Sequence, residues 1–235
     1  MRTTVPLHRL LPALTLALPL AAGCTTVGVS ADRAAAPREL TAAQLRAAAV
    51  TGPELGSGYA VTVMTPGPAN PGEGADREKA DVPACQPVLD AVAPASGSVV
   101  ETDLNIARSA DAKAGVYAGL LALAPGRAAQ LQGQLDKVLA QCGSFTSVAP
   151  GHKGRNRHRL SKADTPTVEG AEAVSAFTLT NESGGTVLSQ HAVLARAGTA
   201  LAVFSTVGTA KEPAPAPDPH VVQTQVAKLQ KAQRS

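Results

Sequence analysis

The chain has 235 residues, enough for one domain of ordinary size with tails. Hydrophobic residues make up 44% of it but aromatics only 2%, with no Trp, so any core is built from Ala, Val and Leu and there is no aromatic platform for stacking nucleic-acid bases. The formal charge is +3, and setting aside Arg2 and Arg9 leaves 19 Lys and Arg against 18 Asp and Glu, a balance that excludes a general field for steering nucleic acid.

The chain opens with Arg2, His8 and Arg9 and no acid, followed by an apolar run over 10–22 that contains Pro12 and Pro19. That is the pattern of a secretory signal. The run is shorter than the about 20 apolar residues that span a bilayer. It ends in Ala21-Ala22-Gly23-Cys24, which resembles a bacterial lipobox. The resemblance implies a signal peptide over 1–23, cleavage before Cys24, and lipid (diacylglyceryl, then palmitate) on that cysteine. Two acyl chains suit stable anchoring, at about 0.8 kcal/mol per buried CH2. The plain alternative is a secreted protein with an accidental Cys. Residues 24–39 are small, polar and non-periodic and read as a flexible tether. With Cys24 lipidated, Cys85 and Cys142 remain as a pair in an oxidising compartment, and a disulfide is expected. The alternative is two buried thiols. Neither cysteine has a ligand-spaced Cys or His beside it, so no metal is expected.

Residues 40–50 (LTAAQLRAAAV) predict a helix capped by Thr41 and stopped by Gly52-Pro53. A strand is expected over 59–65 (YAVTVMT), then a Pro- and Gly-rich surface loop over 66–81 and a short helix over 85–93. Over 98–109 the alternation is clear: Val100, Thr102, Leu104 and Ile106 share one face, and Glu101, Asp103 and Asn105 the other. A returning strand is expected over 115–124. Residues 127–142 form the best helical stripe, with Ala128, Leu131, Leu135, Val138 and Cys142 in line and Gly143 as C-cap. Strands follow at 145–148 and 159–161, then a meander over 171–181, 186–196 and 199–208 with glycine turns. Residues 211–219 (KEPAPAPDP) read as an extended linker, and 221–233 as a closing helix. The element order predicts an α+β fold, with an antiparallel β-sheet and helices packed on one face, as a single domain over 40–235.

The stretch LTAAQLRAAAVTGPELGSGYAV, the Cys85-Gln86-Pro87-Val88-Leu89 segment, the helix end Leu139-Ala140-Gln141-Cys142 and the late strand Arg196 to Phe204 (RAGTALAVF) together resemble actinobacterial envelope lipoproteins with a PknH-like extracellular sensor domain. The resemblance implies a membrane-tethered binding or sensing domain with a cleft, and no enzyme. The chain departs from receptor-kinase members in carrying no kinase domain, no transmembrane helix and one candidate disulfide where those members have two.

No catalytic motif is legible: there is no G-x-S-x-G, H-E-x-x-H or P-loop. Ser57 between two glycines reads as a turn, His191 as a strand histidine, and Glu101 with Asp103 either as an acid/base pair or as a solvated face. Lys153, Arg155, Arg157 and Arg159 alternate, so an extended chain aims them to one side, where they would contact anionic headgroups or wall polymers; the bland reading is a solvated loop. The expected function is that of a non-enzymatic lipoprotein on the outer face of the cell membrane with a ligand- or partner-binding domain. It needs no cofactor, and its partners are the membrane, through lipid, and an envelope ligand or protein, with no nucleic acid. A structural or assembly lipoprotein is the alternative, and a cryptic hydrolase using Ser57 or His191 the second.

Overall fold

The computed structural model describes residues 38–64, 78–92, 100–109, 111–149 and 154–235. The expected signal peptide, Cys24, nearly all of the expected tether, most of the 66–81 loop and Lys153 lie outside the described residues.

Thr41 starts the first helix, α1 (Ala42–Ala47), through a capping box with Gln44. Gly52-Pro53, expected only to stop that helix, opens another, α2 (Gly52–Leu55). Proline is tolerated in a first helical turn, and Thr51 with Glu54 supplies a second capping box. Then come β1 (Tyr59–Met64), β2 (Lys79–Ala80), a 3-10 turn (Pro83–Cys85) and α3 (Gln86–Val92). The hairpin β3 (Val100–Arg108) and β4 (Asp111–Ala122) precedes α4 (Arg127–Gln141), whose C-cap is Cys142 and not Gly143. The chain ends with β5 (Ser144–Val148), β6 (Arg155–Lys162), β7 (Ala173–Ser183), β8 (Thr186–Ala197), β9 (Ala200–Thr209) and α5 (Pro219–Arg234). Gly184 and Gly185 make the β7–β8 turn with φ of 56° and 83°, the left-handed conformation a two-residue hairpin turn requires.

All nine strands join one antiparallel sheet in the order β1-β3-β4-β9-β8-β7-β6-β5-β2. The α+β class and the antiparallel sheet are as expected. The helices, expected on one face, divide between the two. On the first face Leu45 of α1, Leu55 of α2 and Val222, Val226 and Leu229 of α5 pack against Leu104, Ile106, Leu120, Val193 and Phe204. On the second face Val88 and Leu89 of α3 and Leu135 and Val138 of α4 pack against Phe177, Leu179, Ala192, Leu194 and Val203. The reason lies in the meander: Ala192 and Leu194 point one way, Val193 and Ala195 the other, and all are buried. A strand apolar on both faces needs a layer on each.

The 211–219 stretch is no free linker. Ala214 N–H donates to Ser189 Oγ at 2.7 Å, and the Thr206 hydroxyl donates to the Pro215 carbonyl. A Cβ on Gly208 would lie 2.3 Å from Ala214 N, so only glycine lets this strap lie so close. Asp218 ends the strap, caps α5 at His220 N–H and accepts from the Tyr59 hydroxyl at 2.6 Å.

The two helical layers are offset. α1 lies against β3 and β4 and α5 against β8 and β9, whereas α4 lies against β6, β7 and β8. On the second face the layer of α3 and α4 reaches β4 at Leu121, opposite Glu101, and among the described residues no helix covers the first face at β5–β6. The second face at β3–β4 and the first face at β5–β6 lie at opposite ends of the sheet and carry opposite charge.

Candidate functional site: the acidic window on β3 and β4

The alternation of β3 puts Thr102, Leu104 and Ile106 into the core, which leaves Glu101 and Asp103 half-buried and Asn105 exposed on the second face. Antiparallel register sets Asp103 opposite Gly119, Asn105 opposite Tyr117 and Glu101 opposite Leu121. Gly119 therefore sits beneath the acids with no side chain of its own. A Cβ placed there would lie 3.5 Å from Asp103 Oδ1, 4.0 Å from Glu101 Oε1 and 3.9 Å from Tyr117 Cε1. Two carboxyl groups and a phenol ring converge over the glycine.

Burial raises the Glu101 carboxyl to about 7, with the charge of Asp103 beside it adding to the effect. Near neutral pH Glu101 is therefore only partly ionised. Burial also raises the Tyr117 hydroxyl, as does its hydrogen bond to Asp103, so it remains a donor. Asp103 Oδ1 is buried, and the Asp103 carboxylate hydrogen-bonds to the Glu101 carboxyl and the Tyr117 hydroxyl. The window thus offers an acceptor at Asp103, a carboxyl at Glu101 that gives or takes a proton, and an aromatic edge. It suits a ligand bearing hydroxyl or amine donors.

A second polar cluster was not legible in the sequence. Ser147 Oγ lies 2.6 Å from His158 Nε2 and donates to Glu78 Oε1. Asn156 Nδ2 donates to the same carboxylate at 2.6 Å, and His158 Nε2 is 3.3 Å from it. The residue types are those of a serine hydrolase, but the geometry is not. In that relay the acid orients Nδ1 while serine meets Nε2. Here acid and serine crowd Nε2, Nδ1 has no partner, and Ser147 and His158 are 0% and 1% exposed. Burial would raise Glu78, but hydrogen bonds from Ser147 and Asn156 and the nearby His158 outweigh it and hold the carboxyl below its usual range. Burial lowers the His158 imidazole against the pull of Glu78, and its ring stacks on Phe145. The cluster is a clamp. With Asp81, which accepts from Thr146 N–H and Oγ1, it holds 78–81 on the β5 edge.

Cys85 and Cys142 are bonded, with S–S 2.07 Å, and tie the start of α3 to the end of α4. Arg155, Arg157 and Arg159 share the first face, as their alternation implied, with Arg157 paired to Glu182 at 3.0 Å and Arg155 to Asp81 at 3.9 Å. They lie across the sheet from the acidic window. Ser57 sits between Gly56 and Gly58, with φ of 95° and 92°. Burial lowers His191, which lies on the first face. Neither Ser57 nor His191 meets a carboxylate among the described residues. Nor is any group of three His, Cys, Asp or Glu gathered there to hold a metal. Among the described residues no helix is long and apolar enough to cross a membrane.

No family model matches the chain, and no curated protein matches it. Among solved structures, the extracellular domain of PknH from Mycobacterium tuberculosis superposes with a TM-score of 0.51 at 14% identity, covering 84% of this chain and 99% of that one. The Rv0999 ortholog from Mycobacterium smegmatis, an uncharacterised protein, gives a TM-score of 0.40 at 11% identity over 83% of this chain and 95% of that one, too low to weigh. At this identity the first likeness speaks to fold alone: the chain shares the α+β architecture of the PknH extracellular domain.

Proposed function

We propose that the protein is a non-enzymatic binding domain of sensor type on the outer face of the cell membrane, anchored by lipid on Cys24, and that its ligand sits over Gly119. The observation that carries the binding site is the convergence of Glu101, Asp103 and Tyr117 over Gly119, which has no side chain of its own. The likeness to an extracellular domain supports the extracytoplasmic setting. The lipobox-like Ala21-Ala22-Gly23-Cys24 and the disulfide, a bond of oxidising compartments, support it too.

Native mass spectrometry of the full chain purified from its own host tests the site. The wild-type chain should carry a small molecule, and Gly119→Val, with a side chain where the ligand would sit, should carry none while keeping the wild-type far-UV circular dichroism. Retention of the molecule by the variant, or an empty wild-type chain, contradicts the reading. The anchor is tested separately: Cys24→Ala should move the protein from the membrane fraction to the medium or soluble fraction, and unchanged membrane association would exclude lipid on Cys24.

A further inference from the structure

The other window has a different chemistry. Arg155, Arg157 and Arg159 stand on one face of β6, with alternate residues about 7 Å apart along the strand. The register surrounds them with hydroxyls: Ser144 of β5 and Thr180 of β7 flank Arg159, Thr146 flanks Arg157, and Ser161 pairs with Thr178. Arg155 and Arg157 are 66% and 60% exposed in their ion pairs, and pairs so exposed hold weakly and exchange readily for another anion. Arg159 is exposed and has no ion-pair partner among the described residues. No large apolar side chain is interleaved with the three arginines; Val148, 43% exposed, lies only at the end of the row, opposite Arg155. A membrane-docking face places apolar side chains among its basic ones. The aromatics that would stack bases are missing as well. A planar, hydroxyl-lined row of forked guanidiniums instead matches recurring phosphate groups on an extended chain.

We propose that the Arg155–Arg157–Arg159 row, flanked by Ser144 and Thr180, is a docking track for an extended phosphate-bearing anionic polymer outside the membrane. It is independent of the ligand at Gly119. The test uses the full chain carrying Cys24→Ala, so that no lipid contributes, with long-chain inorganic polyphosphate as probe. Vesicles of phosphatidylcholine with phosphatidylglycerol serve as the competing surface. The wild-type track should bind polyphosphate with an affinity that falls steeply as salt rises. Arg159→Gln should weaken it about tenfold, the effect of one charge-assisted hydrogen bond. Changing all three arginines to Gln should abolish it. Lys162→Gln removes a charge from the same strand but from the opposite face, and should change binding little. The proposal is overturned if the chain binds no polyphosphate or prefers the vesicles. It is equally overturned if Arg159→Gln binds as the wild type does, or if Lys162→Gln weakens binding as much as Arg159→Gln.

Discussion

Cys142→Ala, or reduction of the Cys85–Cys142 bond, is expected to lower the stability of the domain by about 4 kcal/mol on the chain-entropy model, with strain and residual structure in the unfolded chain reducing that figure. The two cysteines are 57 residues apart, so the bond closes a long loop that would otherwise be free in the unfolded chain. Both are buried, at 2% and 4% exposure, within the second-face core beside Val88, Leu89 and Val138. A typical domain is stable by about 5–15 kcal/mol, so the loss is a large share of the total. Helix α3 has only seven residues and cannot hold its shape without this packing. The check is urea unfolding with and without reductant, followed by far-UV circular dichroism. The midpoint should fall markedly on reduction and should not respond to reductant in the Cys142→Ala variant. Equal midpoints for the oxidised and reduced wild-type protein would show that the bond does not tie the second face together.

The second large effect is a dependence on pH that Glu101→Gln removes. The folded pKa of Glu101 is raised above its ordinary value of 4.5 to about 7. Between those values the folded state holds a proton that the unfolded state has released, so stability falls as pH rises and the loss is complete above about 7. Gln keeps the shape and does not titrate. The variant should therefore gain stability relative to the wild type as pH rises from about 4.5 to about 7. His158 acts with the opposite sign: its lowered pKa means that stability drops as pH falls below 6.5. Glu78 and Asp81, whose folded values are lowered, contribute stability above their unfolded values that is lost at acid pH. The difference between wild type and Glu101→Gln isolates the acidic pair from these groups, because the clamp at β5 is common to both. A difference that stays constant across that pH window would mean that Glu101 titrates normally.

Periodicity revealed much of this fold and little of its site. The two faces of β3, the stripe of α4 and the β7–β8–β9 meander follow from spacings of two and of three or four, which are local properties of the chain. The division of the helices between both faces does not, because it depends on which buried side of β8 each helix meets. Gln132 and Gln225 lie at helix positions where polar residues suggest solvent, yet both are buried. Gln225 accepts from Val50 N–H and donates to the Ala48 carbonyl, locking α5 to the end of α1 across 175 residues. No local pattern carries such a contact. The α2 helix was readable from Thr51 and Glu54, whose spacing is that of a capping box. Glu78 lay in a stretch rich in Pro, Gly and charge, and nothing there points to Ser147 or His158. At the acidic window the carboxylates were visible as one strand face. Gly119 beneath them was not, since it comes into place only when register sets β4 against β3.

The acidic pair held over Gly119 is the centre of the proposed site, and carboxyl-carbon NMR of the full chain, labelled at glutamate and aspartate, tests it most directly. Glu101 should titrate near pH 7, its resonance should respond to Asp103→Asn, and Gly119→Val should perturb it. A Glu101 carboxyl that titrates near 4.5 and is indifferent to both substitutions would contradict that arrangement.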